Sequence, residues 1–257
     1  MLKESEVKNY FRQEGTVARW WNPEDSDMSH IYTRQIDLVL EWLSSRDNQR
    51  VLDASCGKGR VIRDLPHSYE VTGIDISREM LNHVRNLELK HVNIAQADVD
   101  HLPIKSGIFD SVICLESLVH YPKPEVALGE FRRVLKPKGL LIVDVDNENS
   151  LKRFVKKTGH TMKRLFEEDF QPVSEGIFRA YRQTEFRRLV EQSGFIVKDI
   201  AHLGILVPTN LHLPGDKKII VISRGFSDSM AGVDKFLETF PFTRHLSTYT
   251  IVLCQRT

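Results

Sequence analysis

The segment VLDASCGKGR, residues 51–60, places one carboxylate and two glycines where an apolar run gives way to a loop. A glycine-bearing loop before a helix lets a ligand approach backbone N–H groups closely, and its usual occupant is a dinucleotide pyrophosphate. The third glycine of the pattern G-x-G-x-x-G is absent, and Asp53 would repel a pyrophosphate. The loop alone therefore leaves two interpretations: a site for a cationic or amino-bearing ligand, or a turn retained for packing.

Two further acids follow later apolar runs. Asp75 closes the run VTGID, 22 residues after Asp53, which is the separation expected for an acid that binds ribose hydroxyls. Asp98, in QADVDHLPI, follows the next run and could accept a hydrogen bond from an exocyclic amine such as that of adenine, or could cap a turn. Acids at three successive strand ends indicate a ligand with a positively charged amino-acid end, a ribose and an adenine.

The secondary-structure elements around these acids must position them. From residue 50 onward, short apolar runs alternate with segments whose apolar residues have helical spacing. Runs this apolar are typical of strands buried on both faces of a parallel sheet, and the alternation predicts a doubly wound α/β domain. We predict strands at 50–55, 69–76, 92–99, 109–117 and 139–145, after Gly194, and at 247–256, with helices at 36–43, 60–65, 77–87, 124–135, 151–166 and from 184. The stretch 204–240 has no regular pattern.

The motifs VLDASCGKGR, VTGIDISREML, ADVDHLPI, FDSVICLESLVHY and EFRRVLKPKGLLIV, in this order and spacing, resemble class I S-adenosylmethionine-dependent methyltransferases. The resemblance is nearest to the broad group that contains the ubiquinone and menaquinone biosynthesis methyltransferases and many small-molecule methyltransferases. It implies a mostly parallel, seven-stranded Rossmann-like sheet. It also implies a helical lid over 1–44, a methyltransferase domain over 45–257, and substrate-recognition insertions at 147–183 and 204–240.

The resemblance further implies which residues contact S-adenosylmethionine. They are Asp53, Ser55, Cys56, Gly57 and Gly59 at the methionine end, Asp75 at the ribose, Ile76 and Met80 against the adenine ring, Asp98 and Val99 at the adenine edge, and Leu115 and Glu116 beside the sulfonium. Families of this type usually have glycine where Ser55 stands. We expect binding to survive if the backbone there needs no positive φ, and we interpret Cys56 as a packing residue.

Catalysis of methyl transfer needs mainly alignment of the acceptor, with a base where a proton must leave. His120 is the best-placed candidate base, since its ordinary pKa of about 6.5 suits proton removal at neutral pH. It could equally serve structure or substrate contact, and Tyr121 is the weaker candidate. In the N-terminal lid, the resemblance implies that Trp20 covers the cofactor and Arg34 pairs with its carboxylate, although the tryptophans could instead anchor a helix to the core.

Residues 151–166, LKRFVKKTGHTMKRLF, form a basic amphipathic pattern without a single acid. Such a helix could bind an anionic substrate, a carrier protein or, peripherally, a membrane surface. The plainer interpretation is a solvated basic face over a packed apolar one, which would bury Phe154, Met162 and Leu165.

Composition limits the remaining possibilities. The chain has 257 residues with 36 Lys+Arg against 35 Asp+Glu, so its charge does not indicate a nucleic-acid partner. Three scattered cysteines lack metal-ligand spacing, and we expect reduced thiols and no metal. The N-terminus is too charged for a signal peptide, and no apolar run reaches the length of a membrane span. We expect a soluble cytoplasmic protein whose oligomeric state stays open.

The predicted function is S-adenosylmethionine-dependent methyl transfer to the O, N or C atom of a small-molecule acceptor. An RNA or protein methyltransferase is the alternative that the balanced charge disfavours. A NAD-dependent oxidoreductase is disfavoured by Asp53 and by the missing glycine. A cofactor-binding protein without catalysis stays open, because the sequence outlines the cofactor site more clearly than the acceptor site.

Overall fold

The computed structural model describes residues 4–13, 29–44, 49–166, 178–213 and 218–257, and Trp20 lies outside these ranges. The strands are β1 Arg50–Ala54, β2 Glu70–Asp75, β3 Val92–Gln96, β4 Phe109–Cys114, β5 Leu135–Asp146, β6 Phe195–Leu203, β7 Thr209–His212, β8 Lys218–Ile222 and β9 Tyr249–Arg256. The α-helices are α1 Glu4–Arg12, α2 Ser29–Leu43, α3 Arg60–Asp64, α4 Arg78–Arg85, α5 Pro124–Val134, α6 Leu151–Phe166, α7 Gln183–Gln192, α8 Arg224–Ser229 and α9 Ala231–Leu237.

Seven strands form one sheet in the order β3-β2-β1-β4-β5-β9-β6. The pairs from β3 through to β5 are parallel, whereas β9 runs antiparallel to both β5 and β6. The predicted doubly wound, mostly parallel seven-stranded sheet is therefore confirmed. Because β1 to β5 all point the same way, the acids that end them share one edge of the sheet.

The sheet is buried on both faces, which is why its strands have nearly continuous apolar runs. Val51 and Leu52, consecutive residues of β1, are both fully buried but belong to different core clusters, since successive side chains of a strand point to opposite faces. The Leu52 cluster includes Phe131 of α5, and the Val51 cluster includes Val39 of α2. Helix α2 is thus part of a packed helix layer, although it falls inside the segment predicted as a lid.

The interpretation of 204–240 as irregular is wrong, because this stretch contains the β7–β8 hairpin and two short helices. The hairpin forms a two-stranded sheet of its own, against which α6 packs. Its strands are only four and five residues long, and one run, KIIVI, leaves Ile220 62% exposed. A short run that is neither alternating nor buried has no periodicity by which a strand is recognised.

Helix α6 has the predicted bounds, but its predicted apolar core face is wrong. Phe154 is 69% and Leu165 75% exposed, whereas Gly159 and Lys163 are buried. The helix packs on β7 through a face that its hydrophobic pattern does not mark. Among the helices that the structure describes, none combines the length and the apolar character needed to cross a membrane.

Candidate functional site

A cavity of about 530 Å³ opens at the carboxyl edge of the sheet. Its wall comes from the loops after β1, β2, β3 and β4, from the end of β5, and from α1 and the first turns of α6. The predicted cofactor residues on this wall are Asp53, Ser55, Cys56, Gly57, Asp75, Ile76, Met80, Asp98, Val99, Leu115 and Glu116, together with His120 and Tyr121. The topology therefore brings together residues that are spread over nearly seventy positions of the sequence.

The loop after β1 follows a left-handed path, and Ser55 shares it. The φ angles of Ser55, Gly57 and Gly59 are 63°, 54° and 83°. From the sequence, serine is expected to be tolerated at position 55 if the backbone there has no positive φ. The backbone does have a positive φ, so that condition is not met. Its side chain is instead held by a hydrogen bond between Ser55 Oγ and the Tyr121 hydroxyl. A short polar side chain that bonds locally can occupy the left-handed region, at a cost of about 1–2 kcal/mol relative to the right-handed one.

Tyr121 is a brace for this loop and does not fit the predicted role of a base. It is buried, its hydroxyl also lies 3.8 Å from Cys114 Sγ, and burial raises its pKa well above the ordinary value. A phenol with a raised pKa stays protonated at neutral pH and cannot accept a proton from a substrate. Cys56 is likewise inert, because burial raises the pKa of its thiol.

We expect Tyr121→Phe to lower the free energy of unfolding by about 1–2 kcal/mol, because the Ser55 hydroxyl loses its partner. Ser55→Gly should be nearly neutral, since relief of the left-handed backbone offsets the lost hydrogen bond. The double variant should therefore cost less than the sum of the single variants, and urea denaturation of the three proteins measures this coupling. Strictly additive costs would show that the two side chains act independently.

Asp75 organises the same loop from the neighbouring strand. Asp75 Oδ2 accepts a hydrogen bond from the Gly57 N–H at 2.9 Å, and Oδ1 accepts one from the Ser77 N–H at 2.8 Å. Burial raises its pKa, and these backbone bonds oppose that rise. Each oxygen keeps a further acceptor site, so the carboxylate can also receive hydroxyl donors from the cavity.

Asp53 and Asp100 are the two described acids of the cavity wall that have a buried carboxylate oxygen without a hydrogen-bond partner. Asp53 is 2% exposed, and Asp53 Oδ2 has no hydrogen-bond partner among the residues that the structure describes. Burial raises the pKa of Asp53 to about 7. The positive charge of Arg60 lowers this pKa, and the negative charge of Asp75 raises it. A buried carboxylate oxygen without a donor is energetically costly, so this atom points to a donor or cation that the site receives from outside.

Behind Asp53, a buried network links two more acids to an arginine. Gln35 Nε2 donates to Glu116 Oε1 and to Asp144 Oδ2, both at 3.2 Å, and Arg60 donates to Gln35 Oε1 at 2.8 Å. Glu116 has a φ of 56°, and its N–H donates to Asp144 Oδ1 at 2.6 Å. Burial and the charge of Glu116 raise the pKa of Asp144 well above its ordinary value. The residues near Arg60 are thus rich in acid.

Arg34 does not occupy the predicted place. Its guanidinium pairs with Glu238 through two hydrogen bonds and lies 3.6 Å from Asp234, and it is not part of the cavity wall. Arg60 does line the cavity, and its guanidinium is stacked over the Tyr32 ring at 4.5 Å. Tyr32 and Arg34 are two residues apart on α2, and Tyr32 lines the cavity whereas Arg34 pairs with Glu238 at the end of α9. The sequence pattern did not distinguish these two positions.

Asp98 is held by α1. Lys8 Nζ lies 2.9 Å from Asp98 and 2.6 Å from Asp100, and Asp98 Oδ1 accepts a hydrogen bond from the Asp100 N–H at 3.1 Å. The predicted adenine-reading acid is thus contacted by a lysine that sequence analysis did not single out. Among the described residues of the predicted lid, α1 has the position of a cover, because Lys8 and Phe11 line the cavity.

His120 lies on the cavity wall between aromatic rings. Its ring centroid is 4.9 Å from that of Phe11 and 5.7 Å from that of Phe178. These contacts suit both a substrate-facing residue and a packing residue, so the catalytic role of His120 stays a prediction.

Sequence analysis missed Asp146, the last residue of β5, although LLIVDVD ends in acids as the earlier strands do. No group of three or more His, Cys, Asp or Glu side chains in the described ranges could hold a metal ion.

Residues 52–143 match the family model described as "Methyltransferase domain". The chain is 33% identical over 144 residues to the ubiquinone biosynthesis O-methyltransferase of Alkalilimnicola ehrlichii, covering 53% of this chain and 58% of that protein. It is 31% identical over 135 residues to an O-methyltransferase of Aspergillus nomiae, covering 49% and 60%. The matched part thus spans less than two thirds of these relatives' own lengths.

A similar fold occurs in the crystal structure of magnesium protoporphyrin IX methyltransferase from Synechocystis with bound SAH. The TM-score is 0.64 at 18% identity, and the match covers 99% of this chain and 100% of that one. At this identity the likeness establishes a common fold, and it extends over nearly the whole chain.

Proposed function

We propose that the protein binds S-adenosylmethionine and transfers its methyl group to a small-molecule acceptor, and the match of residues 52–143 to the methyltransferase domain model supports this proposal. When bound, S-adenosylmethionine supplies an electrophilic methyl group on a sulfonium. The chain's own contribution is to bind the cofactor, align an acceptor with the methyl group and exclude water.

The observation that carries this proposal is the unsatisfied Asp53 carboxylate in an acid-rich cavity. An ammonium group is the donor that would satisfy Asp53 Oδ2, and the negative charge of Glu116, which also raises the pKa of Asp144, favours a cation nearby. The loop has room for it, because no heavy atom lies within 4 Å of the point where a Cβ of Gly57 would stand. The residues present therefore fit an amino-acid end of positive charge.

The rest of the cofactor would follow the edge of the sheet. Asp75 would accept from the ribose hydroxyls, and Ile76 and Met80 would contact the adenine ring. Asp98 and the Val99 N–H would bind the adenine edge, which requires Lys8 to share or release Asp98. Arg60 replaces Arg34 as the residue that would pair with the cofactor carboxylate, because Arg60 lines the cavity.

Calorimetric titration tests the cofactor assignment directly. We expect S-adenosylmethionine and S-adenosylhomocysteine to bind at one site per chain, and NAD not to bind. Binding of NAD without a response to either sulfur compound would contradict the proposal. A transfer assay with methyl-labelled cofactor, a metabolite extract and, separately, total RNA then tests catalysis: label in the small-molecule fraction supports the proposal, and label in RNA or in neither fraction contradicts it.

The affinity for S-adenosylmethionine should fall as the pH drops below about 7. Because the pKa of Asp53 is raised to about 7, the carboxyl is protonated below that pH, and a cationic ligand must displace the proton. The dissociation constant should therefore increase up to about tenfold per pH unit below pH 7 and level off above pH 8. Titrations at pH 6, 7 and 8 measure this, and an affinity independent of pH would remove Asp53 from the contact with the ammonium group.

We include a cytoplasmic location in the proposal. It is supported by the three cysteines of the chain, all of which are free, buried thiols.

A further inference from the structure

The cavity extends beyond the cofactor residues, to the end of β5 and the first turns of α6. There its wall is formed by Asp146, Lys152, Arg153 and Lys156, with the ring of Phe178 beside them. None of these residues has a part in the cofactor site described above. The Phe178 ring lies 5.7 Å from that of His120, and Glu116, in the loop after β4, is close enough to Asp146 to raise its pKa.

Helix α6 contributes only cations to this wall. Lys152 and Lys156 lie about one helical turn apart, Arg153 directly follows Lys152, and no acid occurs anywhere in the helix. Burial lowers the pKa of Lys156, and Lys152 and Arg153 lower it further, while Asp146 raises it. Arg153 pairs with Glu148 at 3.0 Å, but Glu148 is shared with Lys157. The surroundings of Lys156 are therefore net positive, which favours an anion.

Asp146 provides a different chemistry beside these cations. It is the last residue of β5, and β5 lies directly beside β4, whose loop carries Glu116. Burial and then Glu116 raise its pKa to about 7, whereas Lys152, Arg153 and Lys156 lower it. A carboxylate with this pKa exchanges protons readily at neutral pH, as a general base requires. The end of β5 thus combines a proton acceptor with an anion-binding wall.

We propose that the methyl acceptor is a small molecule with an anionic group, carboxylate or phosphate, that Lys152 and Lys156 bind, and with a hydroxyl group that Asp146 deprotonates. This proposal rests on the proposed methyl transfer and names its acceptor class. The aromatic residues of the wall, Phe11, Phe178 and Tyr249, favour a planar body between the two groups.

The step balances without a further reactant. A lone pair of the acceptor oxygen forms the new O–C bond, the C–S bond breaks, and its electron pair stays on sulfur, so the products are a methyl ether and S-adenosylhomocysteine. The hydroxyl proton passes to an Asp146 carboxylate oxygen and from there to water.

Binding measurements on the whole chain test the anion part. With S-adenosylhomocysteine present, 4-hydroxybenzoate and 4-hydroxyphenyl phosphate should each bind at least tenfold more tightly than the neutral 4-hydroxybenzamide, and their order shows which anion the wall prefers. The double variant Lys152→Gln/Lys156→Gln should remove this advantage. The control Lys90→Gln/Arg164→Gln also removes two charges, but from exposed positions outside the cavity wall, and should keep it. Equal affinities of anion and amide, or an unchanged advantage in the double variant, would overturn the proposal.

A second comparison, between ligands with and without a hydroxyl group, tests whether Asp146 contacts the hydroxyl group of the acceptor. The wild-type protein should bind 4-hydroxybenzoate several-fold more tightly than benzoate, and Asp146→Asn should bring this ratio close to one. His120→Ala should leave the ratio unchanged. If the ratio collapses in His120→Ala and persists in Asp146→Asn, the base is His120 and this part of the proposal fails.

The affinity for S-adenosylhomocysteine in every variant serves as the folding control, because none of the substituted residues is among those assigned to the cofactor. The same measurement distinguishes failure of the proposed function from failure of the proposed acceptor class. A wild-type chain that does not bind S-adenosylhomocysteine contradicts the proposed function, whereas a chain that binds it but does not distinguish anion from amide contradicts only the acceptor class.

Discussion

Replacing Asp53 by asparagine is expected to weaken S-adenosylmethionine binding by two orders of magnitude or more, and at the same time to raise the thermal stability of the ligand-free protein. The loss of binding follows because the ammonium group would be left buried without its counter-charge, which typically costs about 3–5 kcal/mol. The substitution keeps the shape of the side chain, so packing around β1 should be preserved.

The gain in stability follows from the raised pKa of Asp53. A carboxyl whose pKa rises from 3.8 in the unfolded chain to about 7 in the folded one contributes stability that is complete below pH 4 and is lost as the pH rises to 7. At pH 8 the folded protein therefore carries a penalty of up to about 4 kcal/mol, since one pKa unit corresponds to about 1.4 kcal/mol. Asparagine has no such penalty, and the variant should unfold at a higher temperature at pH 8 and show little difference at pH 4.

Calorimetric titration and thermal unfolding of the same preparations measure both effects. Asp37→Asn is a matched control, because this acid is exposed on α2, and neither quantity should change. A variant that is less stable at pH 8, or that binds S-adenosylmethionine like the wild-type protein, would show that Asp53 is satisfied within the chain and does not await a ligand.

Asp75→Ala should weaken both binding and folding, in contrast to Asp53→Asn. The lost hydrogen bonds to the ribose hydroxyls should cost about 1.5–3 kcal/mol of binding free energy, or roughly 10- to 150-fold in the dissociation constant. The fold should lose about 1–3 kcal/mol as well, because the N–H groups of Gly57 and Ser77 lose their acceptor. The difference between the two acids is physical: Asp75 has backbone donors and Asp53 Oδ2 has none.

Titration with S-adenosylmethionine and urea denaturation measure the two losses. Asp75→Asn is the informative control, since its amide oxygen can still accept one of the two backbone bonds and should recover part of the stability. If affinity is unchanged in Asp75→Ala, the residue does not contact the ribose and acts only as a brace for the loop.

The order of strands and helices, and the shared edge on which the acids lie, could be predicted because both depend on local patterns. Buried parallel strands have continuous apolar runs, and strands that run parallel bring their carboxyl ends together wherever they lie in the sequence. Asp53, Asp75 and Asp98 could thus be identified as neighbours before any contact was known. Asp146 could have been found by the same rule.

The partners of each side chain could not be predicted, because they depend on which face an element presents and on what packs against it. Arg34 and Arg60 are both plausible partners for a carboxylate, and only the packing of α2 against α9 assigns Arg34 to Glu238. Helix α6 has an apolar stripe of regular period, yet it packs on β7 with Gly159 and Lys163 buried and Phe154 exposed.

The chain's sequence by itself determined the sheet and its acid-lined edge and predicted the class of cofactor, because strand periodicity and the positions of charged residues are local properties. The tertiary structure alone decided that Ser55 has a left-handed backbone, that Tyr121 is its brace, and that Asp146 lies beside the cations of α6. These features arise from contacts between residues far apart in the chain, and burial within those contacts sets which groups keep a proton.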